Sequence, residues 1–300
     1  MTAMPAVGEF DFINWICTQQ PRSQRVPVPA GDDMAVLTWQ ADDLLLVGVD
    51  QVLDGVHFNS AIHSPRAIGR KVMNRKLSDC AAMACLPAAA VATVVFHQGT
   101  SLEYAKELYL GLREAADAFD CPIVGGDTAS WTGKLVVTAT VLGRSAGVPP
   151  ITRAGAKPGD GIYVTGPLGG SILGRHMTFT PRIHEARKLA AACPITAMID
   201  LSDGLSRDLR HICDQSHVGA IISAADLPIH PDAVELSGRS GRTPLEHALH
   251  DGEDHELLFT TPAQPPFGAR IGQITADQSI LLELDGKRTP LAVGGWEHKL

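Results

Sequence analysis

Residues 198–205 read Met-Ile-Asp-Leu-Ser-Asp-Gly-Leu, with Asp200 and Asp203 where an apolar run ends and a helix is predicted to begin. Five other acidic segments also sit mostly at the ends of apolar runs: residues 31–33, 49–50, 77–79, 125–127 and 251–254. Such a set predicts carboxylates gathered from distant strand ends into one site. Mg²⁺ prefers oxygen ligands of this kind, together with water and substrate phosphates. The pattern therefore indicates a metal-dependent enzyme acting on phosphates, although Asp203 could instead cap the helix that follows.

The composition fits a folded, acidic protein. The 300 residues could form one large domain or two of ordinary size, and a hydrophobic content of 45% is enough for a buried core. A net charge of -8 argues against binding to nucleic acid or to an anionic membrane. The six cysteines include no CxxC pair, so we expect free, mostly buried thiols in a reducing compartment.

Neither the amino terminus nor the longest uncharged stretch predicts a membrane segment. Glu9 and Asp11 precede any apolar run, which is unlike a signal peptide, and a cytoplasmic protein is expected. Residues 80–96 have no charged side chain, but Pro87 lies in the middle of them. Because proline would break a spanning helix there, a buried helix followed by a buried strand is predicted.

Helical and strand-like segments alternate along the chain. Predicted helices cover residues 9–19, 64–84, 101–117, 182–192 and 205–216, and predicted strands cover 34–39, 44–49, 88–96, 135–142, 161–165, 197–199, 257–261 and 271–275. Residues 143–158 are rich in glycine and proline, which is typical of a linker, so we place a domain boundary near residue 148. The sequence predicts an α/β or α+β protein with two domains, residues 1–148 and 149–300.

Two glycine-containing segments could lie against a ligand. Gly125 and Gly126 precede Asp127 at the end of an apolar run, an arrangement that brings backbone close to a ligand and aims one carboxylate at it. Residues 166–170 follow a strand, as a phosphate-binding loop would, but a tight turn is the alternative. The sequence contains no GxxxxGK followed by Ser or Thr, which excludes a P-loop kinase.

Seven blocks along the chain resemble, in the same order, the thiamine-monophosphate kinase family of the aminoimidazole ribonucleotide synthetase superfamily. They are residues 31–33, 54–58, 77–83, 124–128, 153–160, 198–205 and 252–259. The resemblance implies transfer of the γ-phosphoryl group of ATP to thiamine monophosphate with several Mg²⁺ ions. It also implies an amino-terminal α/β domain that binds ATP and metal and pairs across a homodimer into a β-barrel, followed by a carboxy-terminal α/β domain. Nucleic acid and membrane are not expected partners.

Position by position, the resemblance implies three sets of site residues. The expected metal ligands are Asp33, Asp50, Asp79, Asp127, Asp200 and Asp203. The expected contacts with ATP are Tyr109, Gly126, Arg153 and Ser202, and those with thiamine monophosphate are His57, Glu253 and Trp296. No side chain is expected to act as a general base, because the acceptor phosphate is already anionic and catalysis depends on positioning and charge neutralisation. For His57 the alternative is a strand-end or surface histidine without substrate contact.

The chain departs from the family beside two of the expected metal ligands. Gly48 and Val49 precede Asp50 where the family usually has two hydroxyl residues, and Arg75 and Lys76 stand just before the Leu-Ser-Asp segment at 77–79, where asparagine is usual. We hypothesise that Lys76 partly substitutes for a metal charge, since it lies three residues before an expected ligand. Two further replacements are Gly170 for a common aspartate and His255 for a usual tyrosine.

Two other functions stay open at this point. One is a superfamily relative that uses ATP on a different phosphorylated heterocycle. The other is a nucleotide-binding or metabolite-binding protein that has the same fold and no turnover.

Overall fold

The computed structural model describes residues 9–19, 23–27 and 36–296. Its contacts divide the chain into two compact units, residues 1–77 with 86–147 and residues 78–85 with 148–300. Each unit contains helices and one mixed β-sheet, so the fold is mixed α/β. Among the described residues, none of the helices has the length and apolar character that a membrane crossing requires.

The first unit is built on an open four-stranded sheet. Its elements are α1 (Glu9–Thr18), β1 (Leu45–Leu53), α2 (Pro65–Ala82, which ends in the second unit), β2 (Leu86–His97), α3 (Leu102–Asp117), β3 (Ile123–Trp131) and β4 (Val136–Arg144). The strand order is β1-β4-β2-β3, in which β4 is antiparallel to both β1 and β2, and β3 is parallel to β2. This order places β1 and β3 at opposite edges of the sheet.

Local sequence explains where the helices of the first unit begin. The Ser64 hydroxyl accepts a hydrogen bond from the Ala67 amide at 3.3 Å, and Pro65 occupies the first turn of α2. The Ser101 hydroxyl accepts from the Tyr104 amide at 3.2 Å and so caps α3. After α2 the chain enters β2, so the uncharged stretch at 80–96 is a helix end followed by a largely buried strand, as predicted.

One predicted strand of the first unit is wrong in its described part. Residues 36–39 of the predicted strand 34–39 form no named strand, and residues 34 and 35 lie outside the described part of the chain. The apolar pattern has a different cause, because Leu37 packs on a small cluster formed by Val26, Ala89 and Val124. The Thr38 amide donates to the Arg25 carbonyl at 3.0 Å, which fixes the segment as an irregular loop.

The second unit is built on a seven-stranded mixed sheet of order β11-β10-β7-β9-β5-β8-β6. Its elements are β5 (Gly161–Val164), α4 (Ile183–Ala192), β6 (Ala197–Asp200), α5 (Leu205–Ser216), β7 (Gly219–Ser223), α6 (Pro231–Ser240), α7 (Pro244–His250), β8 (Leu257–Thr261), β9 (Ala269–Thr275), β10 (Ile280–Leu284) and β11 (Lys287–Pro290). In α5 the residues at helical spacing, Leu205, Leu209 and Ile212, belong to one buried cluster with strand residues such as Ile162 and Leu258.

All six cysteines are free thiols, as predicted. Cys80, Cys85, Cys121 and Cys213 are buried, while Cys17 and Cys193 are partly exposed. Burial raises the pKa of Cys121 and of Cys213 to about 12. These two thiols are therefore uncharged and unreactive in the folded protein at neutral pH.

Candidate functional site

Two of the acidic segments adjoin each other in the second unit. Strands β6 and β8 are antiparallel neighbours, and Asp200 lies opposite Leu257 in their register. Beyond this pair the loop at 201–204 is bonded to the loop at 251–256, because the His255 amide donates to the Leu201 carbonyl and the Glu253 amide donates to the Ser202 carbonyl, both at 2.8 Å. The predicted residues Ser202, Asp203 and Glu253 consequently sit on two loops fixed against one another.

Asp200 is nearly buried and is held by two side chains of the same unit. The Ser78 hydroxyl donates to its Oδ2 at 2.6 Å, and Nδ1 of His255 lies 3.4 Å from the same oxygen. The Asp200 residue is 4% exposed, and the His255 ring stacks on Phe179 with 3.9 Å between the ring centroids. The end of α2 thus contributes to the environment of Asp200, and Asp79, the residue after Ser78, is exposed to solvent.

A cluster of possible metal-binding side chains lies at the start of α5. One ligand atom from each of Asp203, Asp208 and His211 lies within 4.8 Å of the others, and this set is named the Asp203 cluster below. Oδ2 of Asp208 accepts hydrogen bonds from the backbone amides of Asp203 and Gly204, both at 3.1 Å. Asp208 is a buried residue that fixes the backbone of the loop carrying Asp203.

Electrostatics in the Asp203 cluster favour a cation. Burial raises the pKa of Asp208 to about 8, and the negative charges of Asp200 and Asp203 contribute to the shift. Burial also lowers the pKa of His211, with a smaller contribution from the positive charge of Arg153. The carboxylate oxygens suit Mg²⁺, and a cation among them would offset their mutual repulsion. The residues present therefore fit a hard divalent ion.

The carboxy-terminal segment lies directly on the Asp203 loop. The Trp296 amide donates to the Asp203 carbonyl at 3.0 Å, and the Gly294 amide donates to the Ser206 hydroxyl at 3.1 Å. Trp296 is 49% exposed. The structure thus brings Trp296 to the same place as Ser202 and Asp203.

Glu253 has an uncommon backbone conformation that the contacts around its loop must hold in place. Its φ is +61°, in the left-handed region that is uncommon for residues other than glycine. Oε2 of Glu253 lies 3.1 Å from Nδ1 of His176, a buried histidine. His176 therefore orients the carboxylate that the sequence predicted to contact the substrate.

The glycine loop at 166–170 is a turn whose amides are already bonded to carboxylates. The Gly169 amide lies 3.0 Å from both Asp254 oxygens, and the Gly170 amide donates to Oδ2 of Asp251 at 2.9 Å. A side chain at Gly170, whose φ is +75°, would overlap the backbone of Asp232. The turn interpretation therefore fits better than a phosphate-binding loop, and the aspartate that is common in the family could not be accommodated here.

In the first unit, the expected metal ligands Asp50 and Asp127 lie on opposite edge strands. Asp50 on β1 and Asp127 on the exposed part of β3 are separated by β4 and β2, that is, by three inter-strand spacings of about 4.8 Å each along the sheet. Asp50 is paired with Arg75, whose Nε lies 2.8 Å from its Oδ2. The topology does not place the two aspartates on neighbouring strands of one chain.

Gly126 has a structural role that the sequence interpretation did not include. A Cβ atom at this position would overlap the carbonyl oxygen of Ala92 on the neighbouring strand β2. At Gly125 an added Cβ would meet only a Val91 methyl group at 3.6 Å, which is ordinary contact. Close pairing of β2 and β3 therefore requires glycine at 126, whatever it also contacts in a ligand.

The remaining predicted residues have mixed placements. Nδ1 of His57 accepts the Leu53 amide at 3.0 Å and His57 is 8% exposed, which fits the strand-end alternative. Tyr109 is 5% exposed and packs edge to face on Trp15, so the structure gives no support to its predicted contact with ATP. Arg153 is exposed, and Asp33 lies outside the described residues.

Asp208, His211 and His176 are candidate functional residues that sequence reasoning missed. Asp208 and His211 are three residues apart on α5, and Asp208 is five residues beyond Asp203, so helical spacing could have revealed the pair. His176 gives no comparable indication, because it lies 77 positions from the glutamate that it contacts.

The first unit matches a known class of α/β domains. Residues 31–145 match the family described as AIR synthase related protein, N-terminal domain. Over 258 residues the chain is 41% identical to the thiamine-monophosphate kinase of Rhodopirellula baltica, covering 84% of this chain and 81% of the relative. The chain belongs to the thiamine-monophosphate kinase family.

Solved structures of the family share the fold. The thiamine-monophosphate kinase of Stenotrophomonas maltophilia K279a superposes with a TM-score of 0.80 at 30% identity, covering 94% of this chain and 98% of that one. The structure of AaThiL complexed with AMPPCP and TMP has a TM-score of 0.78 at 27% identity, with both chains covered completely.

Proposed function

We propose that this protein transfers the γ-phosphoryl group of ATP to thiamine monophosphate, giving thiamine diphosphate and ADP. The observation that supports it most directly is the family membership, together with the AaThiL relative whose structure holds AMPPCP and TMP. The proposal is also supported by the hydrogen bonds that join the loop of Ser202 and Asp203 to the loop of Glu253 and to the backbone of Trp296, four residues predicted to contact ATP, metal or substrate.

The residues proposed to hold Mg²⁺ are Asp79, Asp200 and Asp203 in the second unit and Asp127 in the first, with Asp33 as the further candidate from the sequence. When bound, Mg²⁺ neutralises phosphate oxygens and holds donor and acceptor in line. The donor chemistry fits, because the pKa of Asp208, which burial raises most, is raised further by the negative charges of Asp200 and Asp203, and a divalent cation would relieve that repulsion. Ser78 and His255 restrict the carboxylate of Asp200 to one orientation.

Proton transfer is not the main task of these side chains. The acceptor is a phosphate that is already anionic near neutral pH, so attack on the γ-phosphorus needs no side chain to remove a proton. Asp208, with a pKa of about 8, is largely protonated at pH 7 and serves to hold the Asp203 and Gly204 amides. The chain's contribution is therefore positioning, and Glu253 and Trp296 are the proposed contacts with the thiamine phosphate.

We further propose that the protein is a homodimer in which the edges of the first unit's sheet close into a barrel. Strand β1 is an edge strand, and its alternate residues Leu45, Val47 and Val49 are 54%, 65% and 64% exposed. An edge strand that exposes apolar side chains tends to pair with another chain. Light scattering of the wild type and of a Val47→Lys variant tests this, since the variant should be monomeric.

A cytoplasmic location is proposed on the basis of the six free cysteines.

The deciding experiment is an assay for thiamine diphosphate. Purified protein is incubated with ATP, Mg²⁺ and thiamine monophosphate, and the products are separated by chromatography. Product supports the proposal, whereas ATP binding without product supports a relative with another acceptor or a non-catalytic binding protein.

A pair of variants tests the metal assignment in the same assay. Asp127→Asn should lower kcat/KM by at least about 10-fold, which is the usual scale for a lost metal contact. The matched control is Asp42→Asn, an exposed aspartate of the same unit, which should have wild-type activity. Full activity of Asp127→Asn would refute the assignment.

A further inference from the structure

The environment of Asp50 differs from that of the other expected metal ligands. Along β1 the residues alternate in exposure, with Leu46, Gly48, Asp50 and Val52 on the sheltered face and Leu45, Val47 and Val49 on the exposed face. This period of two is the ordinary geometry of a strand covered on one side. Asp50 therefore points toward the covered side of the sheet, where α2 supplies Arg75.

The Arg75 guanidinium is bound closely to the Asp50 carboxylate. Nε of Arg75 lies 2.8 Å from Oδ2 of Asp50, and the two side chains are 14% and 26% exposed. A charge-assisted hydrogen bond of this length and shelter is one of the stronger polar contacts that proteins form. Arg75 thus supplies a fixed positive charge next to this carboxylate.

Among the described residues, the strand neighbours of Asp50 lack the side-chain oxygen atoms that a metal ion would need. Gly48 lies on the same face and has no side chain, and Val49 points to the opposite face. Across the strand pair, Asp50 lies opposite Ala139, which also offers no side-chain oxygen. Mg²⁺ demands near-octahedral oxygen coordination. The part of the chain that the structure describes around Asp50 therefore does not fit a metal ion.

We infer that Arg75 takes the place of a metal ion at Asp50, so that Asp50 positions Arg75 instead of coordinating Mg²⁺. This inference rests on the proposed function, since it concerns how the phosphate charges of that reaction are neutralised. It assigns the substituting charge to Arg75, whereas the sequence hypothesis assigned one to the neighbouring Lys76. The protein accordingly uses fewer divalent ions than the full set of six aspartates would suggest.

The test counts bound metal directly. Mn²⁺ binding is measured by electron paramagnetic resonance in the presence of AMPPCP, for the wild type, Asp50→Asn, Arg75→Ala and the double variant. Asp50→Asn should leave the number of bound Mn²⁺ ions and their dissociation constants unchanged within twofold. AMPPCP affinity is measured alongside by isothermal titration calorimetry. Arg75→Ala removes the fixed charge without supplying the missing oxygen ligands, so at saturating AMPPCP the Mn²⁺ count should stay the same, while AMPPCP should bind at least about 10-fold more weakly. The double variant should bind AMPPCP no more weakly than Arg75→Ala.

A matched control and the contrary results complete the design. Arg70→Ala removes an arginine from the same helix whose side chain is 50% exposed and lies 3.7 Å from Glu114, so it should leave both the Mn²⁺ count and the AMPPCP affinity unchanged. Loss of a Mn²⁺ ion in Asp50→Asn, or wild-type AMPPCP affinity in Arg75→Ala, would overturn the inference. Because the count is independent of turnover, a wild type that binds Mn²⁺ but makes no thiamine diphosphate would refute the proposed function and leave the role of Arg75 to be decided by the variants.

Discussion

Replacement of Asp208 by asparagine should change how the stability of the protein depends on pH. Asp208 has an ordinary pKa of 3.8 in the unfolded chain, and burial together with Asp200 and Asp203 raises its pKa to about 8 in the folded chain. Between these two values the folded state keeps a proton that the unfolded state releases. Wild-type stability therefore falls as pH rises from about 4 to 8, because the unfolded state is favoured by deprotonation.

The size of the effect follows from the shift. Each pKa unit corresponds to about 1.4 kcal/mol, so the complete shift corresponds to roughly 6 kcal/mol as an upper limit. Asparagine cannot ionise, and its amide oxygen can replace the single oxygen, Oδ2, that accepts both backbone amides. Asp208→Asn should therefore match the wild type near pH 4 and be more stable at pH 8, by a melting-temperature difference on the order of 10 °C.

The assay is scanning calorimetry in EDTA from pH 4 to pH 8. EDTA removes divalent ions that would otherwise stabilise the ionised carboxylates. Asp214→Asn is the matched control, because Asp214 lies on the same helix with its side chain 65% exposed, and its curve should follow the wild type. Parallel curves for Asp208→Asn and wild type over the whole range would show that burial does not control this carboxyl group.

Two further predictions concern stability. Gly126→Ala should destabilise the first unit by about 1 to 3 kcal/mol, because its methyl group would overlap the backbone of β2, whereas Gly125→Ala should change the melting temperature much less. Arg182→Ala should cost about 1.5 to 3 kcal/mol, since it removes the 34% exposed partner at 2.5 Å from the 7% exposed side chain of Glu256, which keeps the hydrogen bond from the Thr165 hydroxyl. Arg239→Ala breaks an exposed ion pair and should cost less than about 1 kcal/mol. Urea denaturation measures both losses in unfolding free energy, and equal losses would show that burial of the ion pair does not set its contribution.

The parts of the fold that could be predicted from the sequence are those with an apolar pattern. Helix α5 matches its predicted span because its buried residues recur with the helical period, and strand β8 matches because it is a short, continuously buried run. Strand β3 was missed because its outer half, with Gly126 and Asp127, is polar and exposed. Helix α6 was missed because Ala233 is its one buried residue, so no apolar stripe marks it.

The candidate site was predictable to the extent that its residues lie in short contiguous segments. Asp200, Ser202, Asp203 and Glu253 could be found because each lies in such a segment, although their convergence depends on the pairing of β6 with β8. The contact between Arg75 and Asp50 could not be predicted, because it joins a helix to a strand 25 positions away. Local patterns do not determine which side chains meet across a sheet.

The hydrogen bond from the Trp296 amide to the Asp203 carbonyl would make the carboxy-terminal segment a reporter of ligand binding at the proposed site. By thermodynamic linkage, a molecule that binds more tightly when the Asp203 loop is ordered also favours the docked form of that segment, and by the same factor. Hydrogen–deuterium exchange at the Trp296 amide should therefore slow when ATP or thiamine monophosphate binds. The chain thus contains its own probe of occupancy, readable by mass spectrometry without a label.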